Sequence, residues 1–162
     1  MSIPLGLKKV AAMCILRHGD ELLLLKRANE PNKGKYLPVG GKLDPFESPR
    51  KAVIRETLEE AGVTIENPKF CGTLIESAPN NYNWLSYIYI ADIDRITPAP
   101  CDEGVLEWIP KSELLNIPTP ATDRYIYKQV LNDQTFAFSA EYNDQLELVE
   151  MMEEISNTSM LR

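Results

Sequence analysis

Residues 40–63, GGKLDPFESPRKAVIRETLEEAGV, decide how this chain is read. Two glycines open the stretch, and a short loop follows. Ser48 is then a good helix N-cap, Pro49 suits the first helical position, and Gly62 is the expected stop. The spacing predicts a helix over residues 49–61. Glu56, Glu59 and Glu60 stand at i, i+3 and i+4, so at about 100° per residue they share one face. Ile54, Thr57, Leu58 and Ala61 are expected on the opposite face, against a sheet. Like charges this close cost energy unless something cationic sits among them. Oxygen-only ligands suit a hard cation, Mg2+ or Mn2+, better than zinc.

The rest of the chain sets the bounds. Its 162 residues fit one domain, 1–162, with a core of its own. The apolar runs 10–16 and 22–25 are far shorter than the roughly 20 residues a membrane span needs, so no membrane partner is expected. The first ten residues, MSIPLGLKKV, lack the pattern of a signal peptide. Cys14, Cys71 and Cys101 are scattered and odd in number, which fits neither a disulfide framework nor a zinc site. A reducing, cytoplasmic location is expected.

The net charge of −7 argues against a general nucleic-acid binder. The charge is nonetheless uneven. Lys26, Arg27, Lys33, Lys35, Lys42, Arg50, Lys51 and Arg55 lie on or before the glutamate helix, where a polyanion would meet a metal. Acidic residues accumulate after Lys128.

Residues 8–17 and 21–27 read as strands joined at His18-Gly19-Asp20, with His18 a turn residue. Residues 28–36 form a polar loop, and Gly40-Gly41 suit a tight turn near a ligand. Residues 84–93, WLSYIYIADI, are apolar almost throughout and predict a central strand. A brief helix is expected at 110–115 and another helix from 123 to about 131. A C-terminal hairpin is expected at about 134–152, then a ragged polar tail from Ser156. The fold class is α+β, with a mixed sheet between helices.

The opening stretch resembles the Nudix box, GX5EX7REUXEEXGU, in which U is a bulky aliphatic. Gly41, Glu47, Arg55, Glu56, Glu59, Glu60 and Gly62 fall at its fixed positions, within residues 41–63. Val63 fills the last U, whereas Thr57 stands at the first and Phe46 where glycine is frequent. The resemblance implies an α/β/α sandwich with a central mixed β-sheet. It also implies hydrolysis of a nucleoside diphosphate linked to a second group, with Mg2+ or Mn2+. Glu56, Glu59 and Glu60 would hold the metal, joined by a carbonyl of Gly40 or Gly41. Glu47 and Arg55 would be a structural ion pair.

Outside the box the likeness narrows to the MutT-type branch, which hydrolyses oxidised purine nucleoside triphosphates such as 8-oxo-dGTP. It makes Lys26 and Arg27 phosphate contacts and Asp123 a base reader or helix cap. Glu103 and Glu107 become candidates for a further metal ligand or base; which glutamate takes the proton stays open. No tryptophan precedes Asp123, and Leu37 stands where some relatives carry asparagine. Tyr82 or Trp84 is left to stack a base, Trp84 being read chiefly as core.

The expected activity is Mg2+-dependent cleavage of (deoxy)nucleoside triphosphates to monophosphate and pyrophosphate by a monomer or homodimer. The alternatives are hydrolysis of ADP-ribose, a nucleotide sugar or an alarmone, and a non-catalytic nucleotide sensor. Pro79 follows the box at a spacing resembling that of ADP-ribose hydrolases. The intact box speaks against the sensor.

Overall fold

A computed structural model describes residues 4–161. The ends of the 1–162 unit, residues 1–3 and 162, lie outside the described residues. Strand β1 (Lys9–His18) turns at Gly19 into β2 (Glu21–Arg27). After the polar loop come β3 (Tyr36–Leu37), β4 (Val39–Lys42) and helix α1 (Pro49–Ala61). Strands β5 (Lys69–Ser77), β6 (Trp84–Asp92) and β7 (Gly104–Pro110) follow. Helix α2 (Asp123–Leu131) precedes β8 (Phe136–Tyr142), β9 (Leu148–Glu153) and β10 (Thr158–Ser159).

The strands form one mixed sheet in the order β10-β9-β8-β5-β6-β1-β2-β3. The pairs β1–β6 and β5–β8 are parallel, and the other pairings are antiparallel. Strand β4 takes the Ala11–Cys14 part of β1, leaving the His18 end to β2. Strand β6 sits between β1 and β5, which explains its nearly continuous apolar run.

Strand alternation divides the core into two layers. Leu23 and Leu25 join Ala12, Cys14 and Leu16 beneath Ala52, Val53 and Ala61 of α1. Leu22 and Leu24 join Ile15 on the other face, against Ile126, Tyr127 and Val130 of α2. The result is the α/β/α sandwich that the Nudix resemblance implies. Phe136 and Phe138 stack at 4.9 Å in the α2 layer.

Helix α1 has the expected ends. Ser48 Oγ accepts from the Lys51 amide at 3.3 Å. Gly62 is left-handed at φ 69°, and its N–H reaches the Leu58 carbonyl. Its packing face is the expected one in part: Thr57 and Ala61 are buried and Ile54 packs against the core, but Leu58 does not. Ala52, Val53, Thr57, Glu60 and Ala61 are buried, whereas Leu58 is 51% exposed. The Glu60 carboxylate lies on this packed side, bonded to the sheet. Thr57, the departure at the first aliphatic box position, is fully buried.

Gly40 and Gly41 are strand residues of β4, opposite Met13 and Ala12, not a tight turn. A Cβ on Gly40 would stand 2.2 Å from the Ala12 carbonyl oxygen. The brief helix expected at 110–115 is a 3-10 turn, Lys111–Glu113. The tail from Ser156 continues into β10, which pairs with β9.

Asn83 is 5% exposed and fastens the loop between β5 and β6. It donates to the Ala78 and Asn80 carbonyls and accepts from the Ala78 amide and Lys8. That fixes the approach of β5 and β6 to the α2 face.

Phe138 is 1% exposed in this core. Phe138→Ala should lower unfolding free energy by about 3–5 kcal/mol, read from the urea midpoint at unchanged m-value.

Candidate active site

The site is assembled where α1 docks on β4. Glu60, 8% exposed, accepts a 2.7 Å hydrogen bond from the Gly40 amide. Burial pushes its pKa up to about 7; the Gly40 N–H opposes the shift, and the Glu56 charge adds to it. Glu56 lies one turn earlier over Gly41, where a Cβ would stand 2.7 Å from its carboxyl carbon. Burial raises the pKa of Glu56 too, against the pull of Arg55. Glycine is steric at both strand positions, Gly40 because it lies against β1 at Ala12 and Met13, and Gly41 because it lies against the Glu56 carboxylate.

Arg55 gathers the remaining charges. It grips Glu47 with two bonds, Nε to Oε2 at 2.8 Å and Nη2 to Oε1 at 2.9 Å. Nη1 reaches Glu56 at 2.8 Å and Glu59 at 3.3 Å, and Nη2 donates to the Lys42 carbonyl. Asp44 adds a contact at 3.3 Å. This guanidinium, with the Asp44 amide, holds the Glu47 carboxyl down at about 2. Arg55 is thus bound to Glu47 while it also neutralises part of the helix charge.

A cleft of about 560 Å³ runs from this cluster across the sheet to α2. Gly40, Gly41, Glu56 and Glu60 line one end. Arg27 and Glu103 meet at its rim, 3.8 Å apart. Arg27 is braced by the folded-back polar loop, with Nε on the Pro31 carbonyl at 2.8 Å. Strand alternation turns the neighbouring Lys26 away. It is exposed, its ammonium lies 5.7 Å from the Tyr36 ring centre, and it does not line the cleft. Glu107 also stands apart, accepting from the Tyr36 phenol at 3.0 Å.

Asp123 lines the far end at 7% exposure. Thr122 holds the helix-cap position, leaving Asp123 as the first residue of α2. Burial and the nearby Glu76 push its carboxyl up to about 8. Tyr82 and Trp84 both line the cleft. The core expected for Trp84 is therefore a cleft floor, with Lys9 Nζ 5.5 Å from its ring centre. Reasoning from sequence missed Glu76, Tyr127 and Lys9. Glu76 did carry a signal, since it shares the phase of buried Leu74 in β5. Glu59 is the most open box glutamate, its side chain 58% exposed.

Among the described residues no three acidic, His or Cys side chains converge on one point. The donor set still fits a hard divalent cation. Glu56 and Glu60 offer carboxylate oxygens against bare glycine backbone, with Glu59 on the same helix. A cleft with clustered carboxylates at one end and a guanidinium at its rim suits a phosphate chain. The chemistry is that of an enzyme hydrolysing nucleotide phosphoanhydride bonds.

Comparison with known proteins gives the family. The NUDIX domain matches residues 7–130, and the chain belongs to that family. Nudix hydrolases use divalent metal ions and act on small nucleotide substrates. The chain is 30% identical over 139 residues to YvcI of Bacillus subtilis, an uncharacterized Nudix hydrolase, covering 80% of this chain and 86% of that protein. A crystal structure of a MutT protein from Bacillus halodurans superposes with a TM-score of 0.78 at 30% identity, covering 88% of this chain and 95% of that one. A human diphosphoinositol polyphosphate phosphohydrolase is 30% identical over 95 residues, 57% of this chain and 56% of the relative.

The raised pKa of Glu60 has a defined consequence. The folded state holds a proton from the ordinary 4.5 up to about 7, so metal-free stability falls as pH rises through that window. Glu60→Gln keeps an acceptor for Gly40 without the charge. Thermal melts in chelator should find this variant more stable than the parent at pH 8, by about 1–3 kcal/mol, and level with it near pH 4.5.

Proposed function

We propose that this protein is a Mg2+-dependent pyrophosphohydrolase that converts (deoxy)nucleoside triphosphates to monophosphate and pyrophosphate. An oxidised purine such as 8-oxo-dGTP is the favoured substrate. The supporting observation is the single cleft that joins Glu56 and Glu60 to the buried Asp123. One end suits a metal-bound phosphate chain and the other a polar base edge. The MutT protein of similar fold supports the same reading.

Glu56, Glu59, Glu60 and the Gly41 carbonyl would hold Mg2+, or Mn2+ in its place. When bound, the ion offsets phosphate charge and lowers the pKa of a bound water. Arg27 takes the phosphate role proposed for the Lys26-Arg27 pair, since it faces the cleft; Lys26 adds positive potential from outside. Glu103 stands at the rim beside Arg27 and is our candidate to accept the proton of the attacking water. Glu47 and Arg55 keep the loop on the helix. Tyr82 and Trp84 offer aromatic surface to a base, and Asp123 offers its carboxyl.

We place the enzyme in the cytoplasm, in keeping with its free thiols, as a monomer or homodimer without a nucleic-acid partner. No helix among the described residues is long and apolar enough to cross a membrane.

A panel of canonical and oxidised nucleoside triphosphates, ADP-ribose, a nucleotide sugar and an alarmone tests the reading, with and without Mg2+. The expected outcome is metal-dependent release of pyrophosphate, fastest with an oxidised purine. Glu59→Gln and Glu60→Gln should each lower kcat by roughly 100-fold or more. Turnover restricted to ADP-ribose or another diphosphate would replace this substrate, and binding without turnover would make the protein a sensor.

A further inference from the structure

The α2 end of the cleft holds polar groups that the hydrolytic chemistry leaves unused. Glu76 is 5% exposed, so it is no solvated surface charge. It lines the cleft beside Leu74, and its Oε2 accepts a hydrogen bond from the Tyr142 phenol. Tyr82 lies against the same carboxyl and packs edge-on to Tyr142 at 5.6 Å. Across from it, Asp123 Oδ2 and the Tyr127 hydroxyl are buried and have no hydrogen-bond partner among the described residues. Both residues line the cleft. Buried polar atoms left in this state are costly, and a ligand that pairs them recovers that energy.

We propose that Glu76 is a specificity residue that reads the 2-amino group of a guanine-type base, with Asp123 pairing the adjoining amide edge. The proposal rests on the nucleotide reading above and narrows it to purines carrying that amino group. A guanine edge presents an acceptor at O6, a donor at N1 and two donors at N2. A protonated Asp123 offers one donor and one acceptor, which match O6 and N1–H. An ionised Glu76 only accepts, which matches the 2-amino group. Two neighbouring carboxyls do not both ionise readily. The phenol that donates to Glu76 favours leaving the charge there and the proton on Asp123.

Other purines fail at one defined place. Adenine can pair its N1 and 6-amino group with Asp123, but it turns C2–H toward Glu76. Hypoxanthine keeps the amide edge and likewise presents C–H. In each case a buried carboxylate loses water and gains no donor. A site built for a hydrogen-bonding group rejects analogues that lack it far more strongly than an apolar pocket can. Tyr82 and Trp84 tolerate any base, so the discrimination falls to the carboxyls.

The decisive comparison is dGTP against dITP, repeated with the 8-oxo forms, as kcat/KM in Mg2+. The parent enzyme should favour the 2-amino base by roughly 10- to 100-fold. The double variant Glu76→Leu/Tyr142→Phe removes the carboxylate together with the phenol that it satisfies. Its guanine-to-hypoxanthine ratio should collapse toward 1, whatever its absolute rate. A purely structural role for Glu76 would slow both substrates alike and keep the ratio, which overturns the proposal. Equal rates on the two bases in the parent also overturn it. Calorimetric binding of GMP and IMP to the parent answers the same question without turnover and without a variant. Selective GMP binding with no triphosphate hydrolysis would sink the proposed reaction and leave this inference standing. Hydrolysis indifferent to the 2-amino group would do the reverse.

Discussion

The hydrogen bond from the Gly40 amide to the Glu60 carboxylate is the contact on which the site depends. It joins β4 to α1, so it fixes the rotation of the helix as well as the place of one charge. A buried carboxylate is costly, and a backbone N–H at 2.7 Å offsets part of that cost. The helix gives up an optimal apolar face in exchange. Leu58 stays in solvent while Glu60 sits among Val53, Thr57 and Ala61 on the packed side. A carboxylate held on the core side with a raised pKa is the kind of group found at functional sites.

Arg55 is the complementary constraint. One guanidinium serves Glu47, Glu56, Glu59, Asp44 and the Lys42 carbonyl. A lysine could not span them, because only the planar fork reaches several acceptors at fixed angles. The loop between β4 and α1 is therefore tied to the helix by the same residue that offsets the helix charge. Charge balance on the helix and order in the loop share this one side chain.

The cleft shows a division of labour between elements. The glutamates Glu56, Glu59 and Glu60 belong to α1, which docks on β4. The rim residue Arg27 is braced by a loop, and the inner polar groups come from β5 and the first turn of α2. Glu56 and Glu60 of α1 and the buried groups of β5 and α2 line opposite ends of one cavity. The glutamate end is set by one short segment, whereas the α2 end is collected from several.

Much of this was readable in the chain. Local rules determined α1 from Ser48 to Gly62, the central position of β6, and the clustering of Glu56, Glu59 and Glu60 along one stretch of helix, because caps, apolar runs and i, i+4 spacing act within a few residues. The spacing from Gly41 to Gly62 carried the reaction class for the same reason. Tertiary structure decided what depends on distant partners. It made Gly40-Gly41 a strand beside β1, it separated Lys26 from Arg27 by strand alternation, and it laid Trp84 along the cleft. It also brought Glu76 of β5 into one cleft with Asp123 and Tyr127 of α2. Their burial, and with it their altered proton affinity, exists only once the sheet and α2 close over them, since desolvation is a property of the packed fold.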